Sequence, residues 1–186
     1  MDTNEAVKIL KDGGVIVFPT DTVWGVGAFI ESGEGIEKLY RIKKREKDKP
    51  TAVLVGSLDQ AREYGDFNNV VEDLVEKYWP GALTVVVPAK RGVNKTILND
   101  EGGVGIRYAN NKIVEELCLG LDGGIVATSA NFSGEESPKS LEEISSDFLN
   151  SVDGVVGVGD GGGKSSTVVD CMGEEMKVLR QGDVFI

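Results

Sequence analysis

A chain of 186 residues with 40% hydrophobic content is long enough for one domain with a sizeable core and too short for two of ordinary size. Its net charge of −11 argues against a surface that coats nucleic acid over a broad face. The absence of histidine removes Ser-His-Asp and Cys-His relays and metal sites built on imidazole, leaving chemistry to Lys, Arg, acids, hydroxyls, amides and backbone.

From the N-terminus, MDTNEAVKIL lacks a basic region followed by a signal-length apolar stretch, and runs such as Val15-Phe18 and Val85-Val87 are too short to span a bilayer. The expectation is a soluble, cytoplasmic protein with one domain over residues 1–186 and no membrane contact. Ala6, Val7, Ile9 and Leu10 form a helical face over Thr3 to Lys11, with Thr3 placed to cap its start and Gly13 to end it. VIVF then reads as a buried strand stopped by Pro19. Helical spacing returns at Ile36, Leu39 and Tyr40; TAVLV is a strand; Val70, Val71, Leu74, Val75 and Tyr78 mark a longer helix closed by Pro80-Gly81. LTVVV, the VGI before Arg107, and GIVAT before Ser129 follow as strands, the last two separated by a helix from about Lys112 to Leu119. Leu141 to Leu149 reads as a final helix. VDGVVGV, STVVD and MKVLR are short β-rich pieces, so the prediction is an α/β domain with a mixed sheet. Cys118 and Cys171, with no CxxC pair, fit reduced, buried thiols.

The charge is unevenly spread. Lys38 to Lys49, KLYRIKKREKDK, holds seven of the 20 basic residues and only two acids, Glu46 and Asp48. A charge run is ordinarily a solvated helix face. On so acidic a body it also suits a ligand with several phosphates, either a nucleotide or a nucleic-acid backbone. The glycine-dense stretch Gly154-Thr167 suggests a phosphate loop but does not satisfy one: a Walker A count back from Lys164 meets Val158 where glycine is needed, and STVVD, not a helix, comes next. Gly157, Gly159 and Gly162 match a dinucleotide fingerprint in letters only, again without the helix whose N-terminus would hold a pyrophosphate. A turn between strands is the better reading. Cys118, beside Leu117 and Leu119, reads as a packing residue.

Three pairs stand two residues apart at the ends of elements: Thr20 and Thr22, Lys43 and Arg45, Ser129 and Asn131. In extended chain such pairs point to one side, so each would deliver two polar groups to one place. Local turn chemistry explains any one of them; three together suggest a site. Arg107 and Arg180 end strands, where long cations reach the crevice in which α/β sheets bind ligands.

Seven segments then occur in order: PTDTVWGVGA at Pro19-Ala28, IKKREKDKP at Ile42-Pro50, PGALTVVV at Pro80-Val87, GIR at Gly105-Arg107, TSANFSG at Thr128-Gly134, SSTVVD at Ser165-Asp170 and LRQG at Leu179-Gly182. Taken together they resemble the YrdC-type threonylcarbamoyl-AMP synthases over nearly the whole chain, in the single-domain form. The resemblance implies a twisted α/β sheet with a concave, basic cavity. It implies a nucleotidyltransferase that condenses L-threonine, bicarbonate or CO2 and ATP, with Mg2+ carried by the ATP, into threonylcarbamoyl-AMP and pyrophosphate. The product would pass to the transferase machinery that builds threonylcarbamoyladenosine in tRNA, with direct tRNA contact left open.

By the same resemblance Lys43, Arg45, Lys49, Ser129, Asn131, Ser137 and Arg180 would meet ATP, with Lys43, Arg45, Ser129 and Asn131 carrying the catalysis. Thr22, Arg107 and Ser166 would frame threonine, Arg107 as partner of its carboxylate. Two positions depart from the family pattern: Trp24 stands where tyrosine is usual and Glu46 where proline is frequent. The alternatives are an RNA-binding module using the same basic groove, and the carbamoyl-transfer domain of hydrogenase maturation. The first is disfavoured by an aromatic content of 6%. The second carries CxxC zinc motifs that this sequence lacks.

Overall fold

The computed structural model describes residues 1–44 and 51–186. Its elements, in chain order, are α1 (Thr3–Lys11), β1 (Val15–Phe18), β2 (Gly25–Phe29), α2 (Gly33–Lys43), β3 (Ala52–Val55), α3 (Leu58–Tyr64), α4 (Asn69–Tyr78), β4 (Leu83–Pro88), β5 (Gly103–Tyr108), α5 (Lys112–Leu121), β6 (Ile125–Ser129), α6 (Ser146–Leu149), β7 (Gly154–Val155), β8 (Thr167–Asp170) and β9 (Lys177–Arg180). All nine strands join one sheet in the order β7-β1-β2-β6-β3-β5-β4-β8-β9. Pairs β1/β7, β3/β5 and β4/β8 are parallel and the other five antiparallel, so the sheet is mixed, as the tail composition predicts. No helix of the described residues is long and apolar enough to cross a membrane.

Several local expectations change. The cap of α1 is Asp2 rather than Thr3: its side chain accepts from the Glu5 N–H at 2.9 Å while the Glu5 carboxylate accepts from the Asp2 N–H at 3.2 Å, a reciprocal box worth about 1 kcal/mol. The sequence reading passes over β2, because GVGAF contains two glycines, and over α3, which at seven residues is too short to display a helical period. The helix expected over Leu141 to Leu149 is two pieces, a 3-10 turn at Leu141–Glu143 and α6, because Ser145 caps a fresh helix by accepting from Phe148 N at 3.3 Å. The three tail strands divide between the edges: β7 pairs with β1 at one, while β8 and β9 pair with each other and close the other.

Register separates the two faces of the sheet. Residues opposite one another share a face and successive residues alternate. Gly25 faces Ser129 and Phe18, Ala127 faces Ala52, Ala52 faces Gly105, Gly105 faces Val86, and Val168 lies between Thr84 and Arg180. That face runs Gly25, Ala127, Ala52, Gly105 and Thr84 through its middle, all small residues. The other face carries Val17, Val26, Ala28, Val53, Val85, Ile106 and Val126, all buried. Helices cover it: Gly35 of α2 lies against Ala28, Gly65 after α3 against Val87 and Ile106, and Cys118 of α5 against Gly56. One face is therefore bulky and packed, while the other is floored by small side chains and left hollow.

Candidate functional site

The hollow is a cavity of about 390 Å³, within the ~300–1,000 Å³ range of small-molecule sites. Alternate residues of the central strands line it: Gly103, Gly105 and Arg107 of β5, Thr84 and Val86 of β4, Ala52 and Leu54 of β3, and Ala127 and Ser129 of β6. A Cβ on Gly105 would meet nothing closer than 3.5 Å, so the backbone there tolerates a side chain, which would instead fill the cavity. Thr20, Thr22, Ser137, Ser165, Ser166 and Arg180 complete the polar wall.

Arg107 is 6% exposed, and each of its three guanidinium nitrogens makes a hydrogen bond. Nε donates to the Gly81 carbonyl at 3.1 Å, Nη1 to Thr22 Oγ1 at 2.8 Å, and Nη2 to the Asp21 carboxylate. Burial pushes its pKa below the ordinary arginine value, the Asp21 charge and hydrogen bond act the other way, and the nearby Arg180 adds to the lowering. Thr22 Oγ1 also lies 3.0 Å from Thr20 Oγ1, and Thr22 N donates to the same Thr20 hydroxyl at 3.1 Å, so a local turn, not extended chain, brings both hydroxyls into the cavity wall.

Arg180 comes from the opposite edge. Although β9 is exposed along its length, the guanidinium folds back onto Ser166, donating from Nε and Nη2 to its carbonyl at 3.1 and 2.9 Å; partial burial lowers its pKa. Ser166 Oγ lies 2.9 Å from Thr84 Oγ1 and 3.2 Å from Arg180 Nη2, which fixes the hydroxyl between two strands.

The other sequence-derived residues divide. Ser129 and Ser137 line the cavity with Thr22, Arg107, Ser166 and Arg180. Lys43 and Asn131 do not. Lys43 is the last residue of α2, not part of an extended segment, because Lys44 turns left-handed at φ 48. It is 2% exposed, and its Nζ donates to the Ser129 carbonyl at 2.7 Å, to the Asn131 carbonyl, and to Asn131 Oδ1 at 3.4 Å. Asn131 also turns inward, with Nδ2 donating to the Phe132 and Glu135 carbonyls at 3.0 and 2.8 Å. Lys43 and Asn131 thus shape the turn that presents Ser129. Arg45, Glu46 and Lys49 lie outside the described residues.

The glycine-dense stretch is part of the site's frame. Gly161 N donates to Lys139 O and Gly163 N to Thr22 O, both at 2.6 Å, and Trp24 Nε1 donates to Gly159 O at 3.0 Å. A Cβ on Gly161 would come 2.8 Å from Thr22 O, and one on Gly162 would collide with the Asp21 carbonyl. Backbone lies on backbone there, which only glycine permits. The aromatic departure at Trp24 therefore keeps a hydrogen-bond donor, its indole N–H, and uses it to hold this strap against the Asp21-Thr22 segment.

Asp21, Thr51, Thr84 and Ser165 were not singled out from the sequence. A signal for the cavity existed in the spacing of small residues, Gly103 and Gly105 on one strand and Ala127 on another, opposite positions that pack. Neither thiol takes part: burial pushes Cys118 up to about 12 and Cys171 up to about 11, so both are protonated near neutrality. Among the described residues no three His, Cys, Asp or Glu side chains gather as a metal cluster.

Comparison with known proteins agrees with this fold. The family model described as "Telomere recombination", which joins the Sua5, YciO and YrdC proteins, matches residues 8–182. The threonylcarbamoyl-AMP synthase of Psychromonas ingrahamii is 33% identical over 150 residues, 79% of this chain and 78% of that protein. Among solved structures, P. abyssi Sua5 complexed with L-threonine superposes with a TM-score of 0.92 at 28% identity, covering 97% of this chain and 54% of that one. The chain thus spans about half the length of that relative. E. coli YciO gives a TM-score of 0.89 at 28% identity over 97% of this chain and 88% of its own.

Proposed function

This chain belongs to the Sua5/YciO/YrdC family, and on that premise we propose that it is a threonylcarbamoyl-AMP synthase, a nucleotidyltransferase acting on L-threonine, bicarbonate or CO2 and ATP. The observation that carries the reading is the convergence of Arg107 and Arg180 with Thr22, Ser129, Ser137 and Ser166 on one hollow face of the sheet. Two cations and a wall of hydroxyls suit two anionic substrates that must meet.

The chemistry needs little more from the protein. The neutral amine of threonine adds to CO2, forming an N–C bond and releasing a proton to water. A carbamate oxygen then attacks the α-phosphorus of ATP, and the bond to the bridging oxygen breaks as pyrophosphate leaves. No protein nucleophile is required; positioning and charge neutralisation supply the rate. Arg107 offers a planar fork to the threonine carboxylate, beside the hydroxyls of Thr22 and Ser166. Arg180, Ser129 and Ser137 face the nucleotide. Arg45 and Lys49 are assigned to the phosphates from the family pattern, and Lys43 with Asn131 hold the Ser129 turn that the nucleotide meets. Mg2+ enters with the triphosphate as part of the substrate. The acyl-adenylate then serves the enzyme that modifies adenosine in tRNA, in the cytoplasm.

The test is AMP and pyrophosphate formation with threonine and bicarbonate omitted in turn. Release that needs both supports the assignment. Turnover indifferent to threonine, or salt-sensitive RNA binding with no turnover, overturns it.

A further inference from the structure

Asp21 has no part in the reaction above, yet among the described residues it is the one acidic side chain that pairs with an arginine of the cavity. We propose that Asp21 receives the α-ammonium group of the amino-acid substrate as it binds, before that group loses a proton to water and adds to CO2 as the neutral amine, so that the buried Arg107–Asp21 pair opens into a site for a zwitterion. The proposal rests on reading the Arg107 end of the cavity as the threonine end.

Charge conservation is the first support. A guanidinium as buried as Arg107 is costly without a counter-ion, and Asp21 supplies one in the unliganded protein. A simple carboxylate arriving at Arg107 would set a second anion beside Asp21 in a desolvated place. An α-amino acid brings its own cation: its carboxylate takes Arg107, its ammonium takes Asp21, and no charge is left unpaired.

Geometry is the second support. Ammonium and carboxylate share one carbon in an α-amino acid, so a carboxylate on Arg107 carries the ammonium to the group beside that guanidinium. Asp21 is the group that Arg107 Nη2 meets, set between Thr20 and Thr22 of the cavity wall, and its side chain is more open than its partner's, 15% against 7% exposed. The backbone around it cannot drift, since Gly163 holds Thr22 O and Gly162 abuts the Asp21 carbonyl. Only the Asp21 side chain is left to exchange partners, from guanidinium to ammonium. The expected selectivity is for a free α-amino group, against hydroxy acids and N-acylated amino acids of the same shape.

The experiment is a binding cycle on the full chain, using calorimetry with L-threonine and with 3-hydroxybutanoate, which is threonine without its amine. The wild-type protein is expected to prefer threonine by about tenfold or more, the scale of one charged hydrogen bond, and Asp21→Asn to lose that preference while ATP affinity stays the same. Asp21→Glu should recover part of it. If Asp21→Asn fails to fold, Asp21→Ser, which admits water beside Arg107, gives the same measurement. An unchanged preference in the variant would make Asp21 a purely structural partner, and tighter threonine binding would make it only a plug; either outcome overturns the proposal. Wild-type protein that binds neither ligand overturns the threonine reading itself, and the proposal with it.

Discussion

Lys43, at the end of α2, is a charge sunk into the protein, whereas Gly159–Gly163 is backbone with Asp160 as its one side chain, laid beside the cavity. Both stretches have the composition of a phosphate binder, and the described part of neither offers a side chain to the cavity. The lysine spends its donors on the carbonyls of Ser129 and Asn131, where it fixes a turn. The glycines fix the opposite wall by close approach to Asp21 and Thr22. A buried charge at the first and the bare backbone of Gly161 and Gly162 at the second reach the same end, a polar segment held in place. Composition reports what a segment could bind; only burial and partners report what it does.

The sharpest way to break this comparison lies within the basic stretch. Arg45→Ala should lower threonine-dependent pyrophosphate release by about a hundredfold or more, as expected for loss of one charged donor at a transferring phosphate, with no change in melting temperature. Lys43→Met should behave differently, lowering the melting temperature as well as activity, because it takes the Nζ donor from the buried Asn131 carbonyl, and leaving such a group unsatisfied costs about 1–3 kcal/mol. Equal melting temperatures for the two variants would erase the distinction between a ligand-facing residue and a turn-holding one. On the glycine side, Gly162→Ala should raise KM for threonine by about tenfold while KM for ATP stays put, since the displaced segment carries Thr22 and Asp21. A parallel rise in both would show that the strap supports the whole cavity. The smallest effect belongs to Trp24→Phe, which keeps the ring but loses the bond to Gly159, a change of about 1 kcal/mol read as a several-fold rise in KM for threonine.

Strands of branched aliphatics such as VIVF and LTVVV were legible because their composition and length have few other solutions. The glycines of β2 hid a strand, and the seven residues of α3 hid a helix, for want of a countable period. For the site, the two threonines near Pro19 and the arginines at strand ends could be read, since each sits where an element stops. The inward turn of Asn131 could not, because it depends on Lys43 arriving from α2, 88 residues away, and on a tight loop that brings the Glu135 carbonyl back to it. Asp21 escaped for the same reason: its partner is 86 residues away.

Arg180 stands on β9, the last strand of the sheet, whose four residues are all exposed and which pairs on one side only, with β8. Edge strands with so little buried surface open at low free energy, independently of the rest of the fold. Each such opening removes one of the two arginines from the cavity wall. With Arg180 assigned to the nucleotide as proposed, ATP affinity would follow the fraction of time this strand is docked, and amide exchange along Lys177–Arg180 should slow when ATP is bound.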